Sequence, residues 1–222
     1  MANAATTMEI DHLFIFSDSP QEAAEQMLAL GLTEGSSRVH PGQGTTNRKF
    51  YFENFFLEIL WVHDEAEISG PLLQPTRLWE RARYATTGAS PYGLCLVNTP
   101  DTDPVFAAAL AYQPLYFPAG LPIEVLPHAH NPSLPWTFRL PFKGPKAATT
   151  EPTQHRAGLR RLTHVSFGLR QYADDEALLQ QLAGQPQLSF RPAAENRLTL
   201  TFDEHQQGQT VHIGALNLAI AY

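Results

Sequence analysis

Along this chain, short stretches alternate apolar and polar residues with a period of two, and fewer carry helical spacing. The most informative is Phe55-Phe56-Leu57-Glu58-Ile59-Leu60-Trp61-Val62. A continuous apolar run rich in aromatic and β-branched residues predicts a core strand. Alternation puts Phe56, Glu58, Leu60 and Val62 on one face and Phe55, Leu57, Ile59 and Trp61 on the other. Glu58 therefore points where apolar neighbours point, and an unpaired carboxylate there costs on the order of several kcal/mol. It needs a partner: a cation, a metal ion, a protonated neighbour, or water in a cavity.

Upstream, residues 9–16 predict a strand with Ile10, His12, Phe14 and Phe16 on one face. Ser19, Pro20 and Glu22 have the spacing of a helix start with a capping box. Ala23, Ala24, Met27, Leu28 and Leu30 supply the apolar face, and Gly31 the stop. A short strand over residues 32–39, a polar loop over 40–47, a strand over 48–53 and a turn at Asn54 lead into the Glu58 strand. Residues 9–63 thus read strand, helix, strand, strand, strand.

That order recurs downstream. Residues 161–167 resemble 9–15, with His164 in the place of His12. A helix pattern follows over residues 173–183, then strands over 187–192, 197–203 and 209–221, and such an internal repeat bears directly on the fold. Between the copies lie an amphipathic helix within residues 71–85, a strand over 92–98, a helix over 104–112, and a proline-dense stretch from Pro114 to Pro145 with a strand-like run at 136–140. The organisation expected is a first βαβββ module at 8–63, a connecting helix and partial βαββ unit with Pro-rich loops at 64–158, and a last βαβββ module at 159–222.

Composition narrows the function classes. The 222 residues suffice for one large domain or two small ones, and 43% hydrophobic with 17% charged residues is ordinary for a soluble protein. A net charge of -7 argues against a general nucleic-acid or anionic-membrane surface. Cys95 is the sole cysteine, which excludes an intramolecular disulfide and a cysteine-built metal cluster. Residues 1–7 have neither a basic segment nor an apolar core, and no stretch approaches the roughly 20 apolar residues of a membrane span. The expectation is a cytoplasmic protein. Serine-hydrolase elbows, dinucleotide fingerprints and zinc-finger spacings are absent from the sequence.

Two motifs, Ile10-Asp11-His12-Leu13 on the opening strand and Phe56-Leu57-Glu58-Ile59-Leu60 on the fourth, resemble the vicinal-oxygen-chelate superfamily, the glyoxalase, extradiol-dioxygenase and bleomycin-resistance group. The loop His40-Pro41-Gly42-Gln43-Gly44-Thr45-Thr46-Asn47-Arg48 more narrowly resembles a glyoxalase-like subgroup. The resemblance implies an α+β fold whose repeated βαβββ modules form curved mixed sheets around a pocket, and often a homodimer. It also implies a divalent ion (Zn, Ni, Mn or Fe) at His12 and Glu58, with His164 the third ligand by repeat symmetry. The sequence departs from that pattern. Tyr92-Gly93-Leu94 stands where the middle segment would offer a histidine, and the last unit lacks the second glutamate, so His212 or Asn217 would have to substitute.

Each site residue carries two readings. His12 and Glu58 are either metal ligands or a hydrogen-bonded pair in which a desolvated Glu58 serves as a base. His40, Gln43, Thr45, Asn47 and Arg48 either contact a ligand or decorate a hairpin loop. Trp79, Arg81 and Trp136 either rim the pocket or pack a helix onto a sheet, and Cys95 reads as core. Function follows the same division. The chain is a small-molecule enzyme of isomerase, lyase or dioxygenase type, or a binding protein that sequesters a small molecule on the same fold.

Overall fold

The structure, a computed structural model, describes residues 7–174 and 176–222. Its first half contains β1 (Ile10–Phe16), α1 (Pro20–Leu30), β2 (Val39–His40), β3 (Thr45–Tyr51) and β4 (Phe56–Val62). The middle adds β5 (Tyr92–Leu96), β6 (Leu110–Tyr112), β7 (Ile123–Leu126) and β8 (Trp136–Arg139). Together they build one mixed eight-stranded sheet, ordered β2-β3-β4-β1-β5-β8-β7-β6, that curls into a half-barrel. β1 runs parallel to β4 and antiparallel to β5, and β5 runs parallel to β8. The two halves are therefore related by an approximate twofold axis between β1 and β5. The last segment makes its own five-stranded sheet from β9 (Leu162–Leu169), β10 (Leu188–Pro192), β11 (Arg197–Phe202), β12 (Thr210–Ile213) and β13 (Leu218–Ala221), ordered β10-β9-β11-β13-β12.

Strand alternation sorts the core into two parts. Leu13, Ile15, Leu57, Ile59, Leu94 and Leu96 join α1 and the inner face of the second sheet in one large cluster. Phe14, Phe16, Leu60, Cys95, Trp136 and Phe138 form a second cluster on the opposite face, inside the curl. The second sheet thus buttresses the back of the half-barrel and leaves its hollow free. Ile10 departs from the expected face: the β1–β5 register shifts between Ile10 and His12, and Ile10 turns into the buttressed core.

Helix α1 begins with Pro20 and ends at Gly31, whose φ of 99° is left-handed. The capping box expected there does not form. Ser19 makes no side-chain capping bond, and Glu22 accepts instead from Gln26. The helix expected over 71–85 is broken into a 3-10 turn (Gln74–Thr76) and short helices Leu78–Ala82 and Tyr84–Thr87, interrupted at Pro75 and at left-handed Arg77. The helix expected over 104–112 is replaced by a 3-10 turn at Pro100–Thr102, further turns and β6. Pairing of β6 with β7 overrides the local helical propensity of this Ala-rich segment. The strand expected over 209–221 is split into β12 and β13 by the turn Gly214–Leu216 and left-handed Asn217. Of the helix expected over 173–183, Ala177–Gln181 forms, and residue 175 lies outside the described residues. So do residues 1–6, most of the 1–7 stretch read for a leader. Among the described residues no helix is long and apolar enough to cross a membrane.

Candidate functional site

The curl of the eight-stranded sheet encloses a cavity of about 140 Å³. His12 and Phe14 reach it from β1, Lys49 from β3, Phe56 and Glu58 from β4, and Trp136 and Phe138 from β8. The 38–43 segment contributes Arg38, His40 and Gln43, and the proline-dense loop before β7 contributes Tyr116 and Phe117.

Glu58 stands half-buried in the wall, between Phe14 on β1 and Lys49 on β3. Asn47 Nδ2 donates to its Oε1 at 3.1 Å. Burial pushes this carboxyl above its ordinary range, opposed by positive charge on His12, Lys49 and Arg38. The direct His12–Glu58 hydrogen bond of one expectation does not form. His12 Nδ1 instead lies 2.6 Å from Asp11 Oδ1, while its ring stacks on Phe56 at 4.4 Å and 10°. Asp11 is desolvated, but the His12 hydrogen bond and charge, with Lys146, hold its carboxyl below the ordinary value. Lys146 donates to the Asp11 carbonyl.

The 40–45 segment is a connected polar edge. Gln43 Nε2 donates to Thr45 Oγ1, which lies 2.9 Å from His40 Nδ1, and the Tyr116 hydroxyl donates to Gln43 Oε1 at 2.7 Å. Burial, with Arg38, Lys49 and His12 nearby, pulls His40 down to about 3, so its ring is neutral. Thr45 and Asn47 thus hold cavity groups in place from beneath.

Other expected residues fall elsewhere. Arg48 alternates to the outside of β3 and pairs with Glu34 and Gln21. Trp136 is a cavity wall, and its indole N–H donates to the Thr76 carbonyl at 2.7 Å. Trp79 is half-buried away from the cavity, with the Arg83 guanidinium 5.3 Å from its ring centre. Arg81 is no rim residue: it is 1% exposed and donates to the carbonyls of Pro127, Pro132 and Leu134. His164 lies on β9 of the second sheet, held by Ser189 Oγ and the Pro186 carbonyl. The structure does not bring it to His12 and Glu58. Sequence reasoning missed Arg38, Lys49 and Tyr116. Alternation from Asn47 puts Lys49 on the same face, but nothing in the sequence gives the register that sets it against Glu58.

The twofold axis tests whether the wall fits a metal. Leu13 pairs with Leu94 across the axis, so His12 on β1 maps onto Gly93 on β5. Glu58 neighbours Phe14, and Phe138 neighbours Cys95, so Glu58 maps onto Phe138. Neither Gly93 nor Phe138 has a ligand atom. A Cβ on Gly93 would lie 2.1 Å from the Phe14 ring, which therefore fills the space of a second histidine. A site with two donors from each half does not fit. Asp11, His12 and Cys95 do bring possible ligand atoms within 4.8 Å of one another. The neighbouring Lys146 ammonium, and a Cys95 thiol pushed well up by burial, both oppose a cation there.

No curated protein matches the sequence significantly. A hypothetical protein from Staphylococcus aureus is similar in structure over 96% of this chain and 98% of its own, with a TM-score of 0.55 at 7% identity. A methylmalonyl-CoA epimerase from Streptomyces coelicolor aligns over 61% of this chain and 94% of its own (TM-score 0.42, 16% identity). A 4-hydroxymandelate synthase variant from the same organism aligns over 96% and 62% (TM-score 0.48, 12% identity). The model of the glyoxalase-like domain family matches residues 10–183, most of the chain: the chain belongs to the glyoxalase-like domain family.

Proposed function

We propose that this protein is a small-molecule enzyme of isomerase or lyase type in which Glu58 is the base. One observation carries the reading. A carboxylate whose charge burial disfavours stands among cationic groups in an aromatic cavity, while its twofold-related position is a phenylalanine. Burial that raises a carboxyl brings its basicity closer to that needed near neutral pH. Glu58 would take a proton from a carbon beside a carbonyl. The C–H electron pair would pass into an enolate, and the proton would return to the same or the adjacent carbon. His12, fixed through Nδ1 by Asp11, keeps Nε2 as the ring nitrogen left to meet the enolate oxygen. Asn47 orients Glu58.

The binding-protein reading uses the same cavity without turnover, and hydrogen exchange separates the two. A panel of small 2-oxo acids and ketones in D2O, followed by NMR, should show enzyme-dependent exchange of the α-hydrogen. Glu58→Gln should lower that exchange by roughly a hundredfold or more while leaving the fold intact. Absence of exchange across the panel would favour the binder. The Asp11–His12–Cys95 group keeps a metal reading open to test. Zn, Ni, Mn or Fe(II) would have to raise the melting temperature saturably, and His12→Ala would have to abolish the shift.

A further inference from the structure

Among the described residues, three Lys or Arg side chains are buried, and two of them have obvious partners. Arg81 donates to backbone carbonyls, and Arg139 pairs with Glu124 and Asp103. Lys49 is the exception. It is 8% exposed, yet its ammonium makes no hydrogen bond and no ion pair, and it lies over the faces of Tyr51 at 5.4 Å and Phe56 at 6.0 Å. Ring faces compensate a desolvated ammonium only partly. Lys49 lines the cavity, and Arg38 lines it too, with its guanidinium 4.9 Å from the centre of the Tyr116 ring. His40, between them in the polar edge, is neutral and adds no charge. Glu58, opposite Lys49 across the strand pair, and Glu151 lie within electrostatic reach of this ammonium, yet neither closes an ion pair with it. Asp11 is taken by His12, and Arg38 adds a second positive charge to this end of the site.

We propose that Lys49, with Arg38, forms an anion subsite in this cavity, and that the ligand class is a small organic carboxylate with a flat apolar body. The carboxylate would give the ammonium the charge-assisted hydrogen bonds it lacks. The body would lie against Phe14, Trp136 and Phe138, in a space of about 140 Å³ that suits one ring and little more. The inference deepens the reading of Glu58 as base by naming its substrate class, and it rests on that reading only for turnover.

Calorimetry with benzoate, benzamide and inorganic phosphate as probes tests it directly. Benzoate should bind the wild-type protein at least about tenfold more tightly than isosteric, neutral benzamide, and more tightly than phosphate. Lys49→Met should remove the preference for benzoate over benzamide, Lys49→Arg should keep most of it, and Glu58→Gln should strengthen benzoate binding. Benzamide binding as well as benzoate, or Lys49→Met retaining the preference, overturns the subsite. Phosphate outcompeting benzoate overturns the organic carboxylate. Because the amide is measured on each variant, a misfolded Lys49→Met protein would lose both ligands, and Lys49→Arg then decides alone. Carboxylate binding without hydrogen exchange would sink the base and leave the subsite standing. Exchange of 2-oxo acids unaffected in rate and KM by Lys49→Met would do the reverse.

Discussion

Phe14 and Gly93 face each other across β1 and β5, and the Phe14 ring occupies the volume that any side chain at position 93 would need. The floor of the cavity is therefore an aromatic plug where a paired metal site would put its second imidazole. The pair predicts strong coupling. Gly93→Ala should destabilise the protein by about 1–3 kcal/mol, because an overpacked core forces the ring off its rotamer. Adding Phe14→Ala should return part of that loss. Denaturant unfolding of both single variants and the double variant measures the interaction, and simple additivity would show that the ring moves aside freely.

Glu58→Gln should separate stability from activity. The amide keeps an oxygen for the Asn47 donor and removes a charge that burial disfavours. A carboxyl raised in the folded state holds its proton longer there than in the unfolded chain. Its stability penalty is absent in acid and grows as pH rises past the ordinary carboxylate range. The melting temperature of the glutamine variant should therefore gain on the wild type between pH 4 and pH 8, even as hydrogen exchange is lost. A variant that falls behind the wild type as pH rises would mean Glu58 is paired in its charged form.

Arg81 works as a staple for the proline-dense segment. Its guanidinium gathers the carbonyls of Pro127, Pro132 and Leu134, which lie 46 to 53 residues away in sequence and cannot be satisfied by strand ladders. Burial lowers its pKa to about 10, so it still carries its charge at neutral pH. Arg81→Ala should cost about 3–5 kcal/mol by removing a large buried side chain and stripping the Pro127 and Leu134 carbonyls of their donor, while Pro132 keeps the Ser90 N–H. Arg81→Lys should recover little, since one ammonium cannot span the fork. Chemical denaturation reads both values, and a lysine variant near wild type would show that charge alone suffices.

The same residue shows where sequence reasoning stops. The Glu58 strand, the His12 strand, α1 and the direction of Glu58 into a hollow are legible because alternation and helix punctuation are local signals. Arg81 reads equally well as rim or staple, since its partners are carbonyls of a loop whose course the sequence does not give. Lys49 looked like one more strand residue because its meaning comes from register against β4, and a register is a property of two strands. His164 sits at the repeat-equivalent position, yet its module forms a separate sheet, so repeat symmetry in sequence did not become proximity. Tyr116 and Phe117 close the cavity from a segment with no periodicity at all.

The last prediction concerns acid. His128 is buried with its Nε2 3.2 Å from Thr137 Oγ1, and burial, together with the charge of Arg81 and a smaller contribution from His130, lowers it to about 3 against the pull of Glu176. In the unfolded chain it would take a proton near 6.5, so between those values the unfolded state holds more protons and stability falls as pH drops. His40, also near 3, adds a second loss of the same sign. Each contributes a slope of at most ~1.4 kcal/mol per pH unit. Asp11 and Glu176, lowered in the folded state, lose stability in acid as well, so the wild-type curve alone cannot isolate the histidine. His128→Asn can, because asparagine tolerates the φ of 50° at this position and does not titrate. The variant should be less stable than wild type at pH 7, where it lacks the ring's packing and hydrogen bond. The gap should close steadily toward pH 4 in urea unfolding. Parallel curves over that range would mean His128 accepts its proton without leaving the fold.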